Sequence, residues 1–141
     1  MTPDQLRAAR SDCADLAMRF YHLIDRKRYR EAADLFAPDG AFTRMGEDLL
    51  GPDQIYAALS RPDPGKVVRH LVSNMVVEVK TASRADVLYD LSVYIHRGKE
   101  GESVPPVPPL GYMRDCVDEL VATPGGWRIG RKRTAPIYQN R

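Results

Sequence analysis

The second half of the chain most constrains the fold. Four runs rich in Val, Leu, Ile and Tyr, at 66–80, 85–97, 110–122 and 126–137, read as strands. Ser83-Arg84 links the first two, and Thr123-Pro124-Gly125-Gly126 links the last two. Such short links suit antiparallel neighbours. Residues 98–109 carry four prolines, which have no ladder donor, so this stretch is expected to be a loop. The strands run past the usual five or six residues. Strands that long are expected to bend and coil, giving a strongly curved sheet.

Upstream the apolar period changes from two to between three and four. Leu6, Ala9, Cys13, Leu16, Phe20, Leu23 and Ile24 form one stripe, predicting a helix over 3–25. Thr2 or Asp4 can cap it, and Pro3 suits its first turn. A second helix is expected at 28–36, stopped by the turn signal Pro38-Asp39-Gly40. A short strand is expected at 41–44, and a third helix at 53–60 after Gly51-Pro52-Asp53. Helices followed by turn-joined strands predict an α+β class. With 141 residues, one domain over 1–141 is expected, with the helices in the concavity of the sheet around an enclosed pocket.

Charge excludes some functions. With 21 basic and 19 acidic residues the net charge is +2, too balanced to argue for nucleic acid or an anionic membrane. The basic run Arg128, Arg131, Lys132, Arg133 reads as a solvated face. Cys13 and Cys116 have no metal-like spacing. Met1–Gln5 shows no basic segment before an apolar run, and no 18-residue apolar stretch exists. A soluble protein in a reducing cytoplasm is the expectation.

Chemistry centres on His70. Strand alternation puts it with Val68, Val72, Asn74 and Val76. Among valines it is desolvated and needs a partner. It is either a satisfied core histidine or a base. Asp25 lies off the apolar stripe at the end of the first helix, where the macrodipole disfavours a carboxylate. It is either a solvated acid or a residue that breaks a local rule for function. His96 shares a face with Tyr94, Ser92 and Asp90, and Arg131 and Arg133 share one with Trp127 and Ile129, so one arginine can point inward. An Asp–His pair supports proton abstraction. The carboxylate fixes one ring nitrogen and the other takes the proton.

Several segments together resemble a known family. They are Phe20–Tyr29, Ala33–Ala41, Gly51 before a short helix, Arg69–Asn74 and Gly126–Arg131. They resemble the SnoaL-like branch of the nuclear transport factor 2-like superfamily over about residues 10–135. The resemblance implies a cone-shaped roll of three N-terminal helices packed in a strongly curved, mixed, mostly antiparallel sheet. Scytalone dehydratase and hexachlorocyclohexane dehydrochlorinase, within that branch, carry an aspartate where this chain has Asp25 and a histidine where it has His70. His96 looks like a further dehydratase histidine, while the dehydrochlorinase's first-helix lysine is missing here.

The resemblance implies a cofactor-independent acid–base lyase or isomerase, dehydratase-like, acting on a small cyclic, largely apolar molecule. His70 and Asp25 would be catalytic, and His96, Tyr21, Arg131, Asn74 and Tyr94 would line the substrate. A non-catalytic binding or accessory subunit and a polyketide cyclase remain alternatives. No metal or organic cofactor is implied. A homodimer or homotrimer through the outer sheet face is expected, with Val77, Val79 and Leu91 supplying apolar contact.

Overall fold

The computed structural model describes residues 1–99 and 101–139; Glu100 of the proline-rich loop and the last two residues lie outside them. Helix α1 spans Pro3–Asp25. Thr2 and Gln5 close a reciprocal capping box at its start, satisfying two otherwise free amides. Its buried stripe is Ala9, Cys13, Leu16, Ala17, Phe20, Tyr21 and Leu23. A short helix α2 (Tyr29–Ala33) follows, then strands β1 (Phe36–Arg44) and β2 (Glu47–Leu50) and helix α3 (Gly51–Leu59). The long strands are β3 (Lys66–Thr81), β4 (Arg84–Arg97), β5 (Leu110–Thr123) and β6 (Gly126–Tyr138). None of the described helices is long and apolar enough to cross a membrane.

The strands form one six-stranded sheet in the order β2-β1-β6-β5-β4-β3. Among the described strands only the β1–β6 pair is parallel. The α+β class and the mixed, mostly antiparallel pairing match expectation. The strongly curved, cone-shaped roll does not form. The sheet is open, ending on β2 at one side and on β3 at the other, with no pairing between the two. Strand length sets no closure by itself. The long strands pair along nearly their whole length and relieve local mismatch through irregularities, at Ser73/Val76 in β3 and opposite Glu119/Leu120 in β6.

Each irregularity inverts an alternation. In β3, Asn74 takes a left-handed φ of 52°, a conformation that Asn tolerates better than most residues. Val68, His70 and Val72 face the core before it, and Met75, Val77 and Val79 after it. Val76 therefore points outward, against the simple alternation from His70. In β6, Gly130 is the extra residue between the pairs Leu120–Ile129 and Glu119–Arg131. Ile129 and Lys132 face inward, and Arg131 and Arg133 face out.

The first strand also departs from expectation. Pro38-Asp39-Gly40 lies inside β1 rather than ending a helix. The register against β6 jumps there, from Phe36–Ile129 to Ala41–Arg131. A Cβ at Gly40 would lie 2.8 Å from the Ile129 carbonyl oxygen, so only glycine fits. The four-residue β2 had no sequence signal of its own.

Helix α1 packs on β3, β4 and β6, and α3 packs on β1. The core lies between them, with Phe20, Phe36 and Phe42 in mutual contact at 5.7–5.9 Å between centroids. Leu91 is buried in this core, and Val77 and Val79 pack against it. They do not supply the outer contact area expected of them. Val67, Leu71 and Val76 are the exposed apolar residues of β3.

Candidate functional site

Asp25 is the last residue of α1. Arg26 leaves helical geometry and Lys27 has a φ of 60°, so the helical wheel no longer sets where the Asp25 side chain points. It turns to β3. That strand is a sheet edge, and its outward-facing amides have no ladder partner. One of them, the His70 N–H, donates to Asp25 Oδ2 at 2.9 Å. Asp25 Oδ1 lies 2.5 Å from His70 Nδ1. The two side chains are only 5% and 12% exposed. Arg69 Nη1 donates to the Asp25 carbonyl oxygen at 3.4 Å, placing a cation at the negative end of the helix.

A carboxylate only accepts, so Nδ1 carries the hydrogen and Nε2 of the neutral ring is left with its lone pair. Among the described residues Nε2 has no hydrogen-bond partner. The ring is thus fixed at one nitrogen and free at the other, the arrangement a general base needs.

Tyr21 lies one helical turn before Asp25 and therefore on the same face. Its ring lies 5.0 Å from the His70 ring, tilted by 32°. Its hydroxyl is 2.9 Å from that of Tyr89 on β4. Behind them sits an ion pair with no exposure at either member. Lys132 Nζ donates to Asp118 at 2.7 and 2.8 Å and to the Tyr89 oxygen at 2.8 Å. The ammonium also lies over the rings of Phe20 and Tyr21, at 4.5 and 4.7 Å. Burial pushes the Tyr21 and Tyr89 hydroxyls well above their ordinary range, so both stay protonated. Burial also raises Asp118, against the opposing pull of Lys132.

Sequence reasoning missed Tyr89, Asp118 and Lys132. Asp118 was readable, since Cys116, Asp118 and Leu120 alternate on one buried face of β5. Lys132 was not, because alternation from Ile129 gives the wrong face once Gly130 is inserted.

The other expected residues lie elsewhere. His96 pairs with Val67 and Tyr94 with Arg69, which puts both on the sheet face opposite His70. His96 Nε2 contacts Glu102 of the proline-rich loop at 3.0 Å. Asn74 is exposed and its side-chain amide donates to Asp90 at 3.0 Å. Arg131 is exposed on the outer face, opposite Glu119. The structure brings together Asp25, His70 and Tyr21 and separates these four from them.

The expected enclosed pocket is not centred on the His70 ring. A depression of about 130 Å³ lies between the segments flanking the pair, with Lys27, Lys66 and Val67 on one side and Glu102 and Pro105 on the other. A larger open groove of about 820 Å³ runs between Arg30, Phe36, Leu50 and Arg128. Neither is lined by His70. Among the described residues no cluster of three His, Cys, Asp or Glu side chains could hold a metal ion.

Comparison with solved structures recovers this architecture. An NTF2-like protein with a cystatin-like fold from Novosphingobium aromaticivorans superposes with a TM-score of 0.79 at 19% identity, over 96% of this chain and 86% of its own. A protein provisionally named a scytalone dehydratase, from the same organism, gives 0.78 at 16% identity, over 99% and 94%. Aln2 from a Streptomyces species gives 0.76 at 19% identity, over 96% and 93%. At such identities the likeness is one of fold. No match was found among curated proteins. The SnoaL-like domain model matches residues 5–133, nearly the whole chain. The protein therefore belongs to the SnoaL-like family, and it has the nuclear transport factor 2-like fold of these structures.

Proposed function

We propose that the protein is a cofactor-independent acid–base lyase or isomerase acting on a small, cyclic, largely apolar molecule. The observation that carries this reading is the 2.5 Å contact between Asp25 Oδ1 and His70 Nδ1, made by two side chains withdrawn from solvent. In an elimination, His70 Nε2 takes a proton from the carbon beside a leaving hydroxyl. The C–H electron pair becomes the new double bond, and the hydroxyl departs as water by taking that proton back from the His70 imidazolium, which restores the neutral ring. Asp25 holds the tautomer and stabilises the imidazolium formed on the way. In an isomerisation the same nitrogen returns the proton at another carbon. The rings of Phe20 and Tyr21 give the neighbourhood the apolar character that suits such a substrate.

Mass spectrometry of hydroxylated one- and two-ring compounds incubated with the protein, scored for loss of water or a shifted double bond, tests this. With an active compound in hand, His70→Ala is expected to lower kcat by about 10²–10⁴. Asp25→Asn is expected to lower it as well, because the amide can bind the wrong tautomer. Turnover unchanged in both variants refutes the mechanism. A ligand that binds and is released unaltered by the wild type identifies a binding protein instead.

A further inference from the structure

One cation on the inner face of the sheet is left over by the pairs described above. Residues directly opposite each other in an antiparallel ladder share a face. His70 stands opposite Val93, and Val93 opposite Tyr112, so the three form one row across β3, β4 and β5. Val72, Leu91 and Arg114 form the next row. Arg114 therefore lies on the His70 face of the sheet, ahead of the buried Cys116, Asp118 and Leu120 of its own strand. It is half-buried, and its guanidinium carbon lies 4.8 Å from the centroid of the Tyr112 ring. A cation so placed is attracted by the ring face. The charge thus sits near the His70 row, two strands across, or about 10 Å at the usual strand spacing. The neighbouring charges are matched. Asp118 is taken by Lys132 and Asp25 by His70. Lys66 and Arg97, at the end of the same face, both lie against Asp63, at 3.8 and 3.3 Å. Among the described residues no carboxylate pairs with Arg114. This end of the face is also open. Val87, Tyr89, Cys116 and Leu120 are buried, whereas Val68, Ile95, Tyr112 and Arg114 keep part of their surface. Val68 lies two residues before His70 on the same face, opposite Ile95. Base and cation are therefore joined by a patch of apolar side chains on which a flat ring can lie.

We propose that Arg114 binds a carboxylate of the substrate, so that the molecule turned over beside His70 is a cyclic acid rather than a neutral ring. The assignment rests on the lyase or isomerase reading and names its substrate class. A guanidinium is a planar fork that meets both oxygens of a carboxylate at once. Its face is taken up by Tyr112, which leaves the N–H edge for that pairing. Half-burial strengthens the attraction over what a surface arginine offers, because less water screens it. The apolar part of the molecule then lies on Val68, Ile95 and Tyr112, and the span of about 10 Å sets a carbon of a one- or two-ring acid at the His70 end. Two fixed ends orient the reacting carbon, which is how remote binding serves a proton transfer.

The test compares 2-naphthoate with 2-naphthamide, which have the same shape and differ in charge, by their own fluorescence. Wild-type protein is expected to bind the acid about tenfold or more tightly than the amide. Arg114→Met removes the charge and keeps the apolar stem. It should weaken naphthoate about tenfold or more, leave naphthamide unchanged and retain native circular dichroism. Arg114→Lys keeps a charge without the fork and should fall between the two. Lys66→Met removes the neighbouring cation that Asp63 already faces, and should leave the preference for the acid standing. The chain has three histidines, so the ring signals of His70 in an NMR spectrum are those lost in His70→Ala. They should shift when naphthoate saturates the wild type. A wild type without preference for the acid overturns the proposal, as do wild-type preference in Arg114→Met, loss of the preference in Lys66→Met alone, or His70 signals that stay in place at saturation. The parent reading fails separately. Turnover indifferent to His70→Ala removes the base while leaving the binding series standing, and a flat binding series with His70-dependent turnover removes only the anchor.

Discussion

Replacing Lys132 by Met is expected to be among the most damaging single changes in the core. Both Lys132 and Asp118 are fully buried. The substitution removes the bonds of 2.7 and 2.8 Å to Asp118 and leaves the carboxylate only its 3.1 Å contacts with Tyr89. Breaking one side of such a pair costs about 3–5 kcal/mol. Domains of ordinary stability have about 5–15 kcal/mol in total. With a urea dependence of about 2 kcal/mol per molar, the unfolding midpoint should fall by roughly 2 M. The loss depends on pH in a defined sense. Asp118 is already raised above its ordinary value of 3.8 by burial, and removing the ammonium raises it further. The folded variant therefore holds a proton there that the unfolded chain gives up. Its stability is highest below the unfolded carboxyl value and falls as pH rises through the folded one. Urea titrations at acidic and neutral pH should show a larger deficit at neutral pH. Adding Asp118→Leu removes the stranded charge. The paired variant should return to within about 1 kcal/mol of the wild type or exceed it, since apolar replacement of a buried ion pair is often neutral or stabilising. A single variant that loses under about 1 kcal/mol, or a paired variant whose loss equals the sum of the two single losses, refutes this account of the cluster.

The two thiols should be silent in the native protein. Burial lifts Cys13 to about 11 and Cys116 to about 12, so neither forms thiolate near neutrality, and a disulfide-exchange reagent at about pH 8 should count both only after unfolding. Because both folded values exceed the ordinary 9.0, their contribution to stability is complete below that value and fades as pH climbs toward 11 and 12, which equilibrium unfolding across the alkaline range measures. At the β3 bulge, Asn74→Gly should be neutral or better, whereas Asn74→Val forces a β-branched residue to a φ of 52° and should cost at least about 1–2 kcal/mol in chemical unfolding. A valine variant as stable as the wild type would show that the bulge is not held by that conformation.

Much of the architecture was legible because long periodic segments carry redundant information. The stripe along α1 with Thr2 or Asp4 as cap and Pro3 in the first turn located the first helix to the residue, and the long strands were found within a residue or two of their ends. The failures share a physical cause. Pro38-Asp39-Gly40 has turn chemistry, but here the turn residues make an irregularity within β1, because the parallel partner β6 supplies the pairing. Nothing local records a partner at the far end of the chain. Sheet closure failed for the same reason. Length and twist are local properties, whereas an open or closed sheet depends on which edges meet.

The candidate site divides along the same line. Asp25 and His70 stood out as residues that violate local expectation, an acid at the wrong end of a helix and an imidazole among valines, but local pattern left their roles open and the family resemblance singled them out as a pair. Their meeting explains both violations at once. The carboxylate that α1 cannot stabilise satisfies the edge amide and ring nitrogen that β3 cannot. The residues misplaced by reading alternation, Arg131 for Lys132 and Val76 for Met75, all follow a single inserted residue, and one insertion exchanges the faces of everything downstream. That exchange decides which charges are buried here. Were Gly130 paired in regular alternation, the position opposite Asp118 would fall to Arg131 and Lys132 would face out, so the bulge selects which cation is buried against the acid. The chemical character of this sheet is thus set as much by where its strands are irregular as by which ionisable residues they contain.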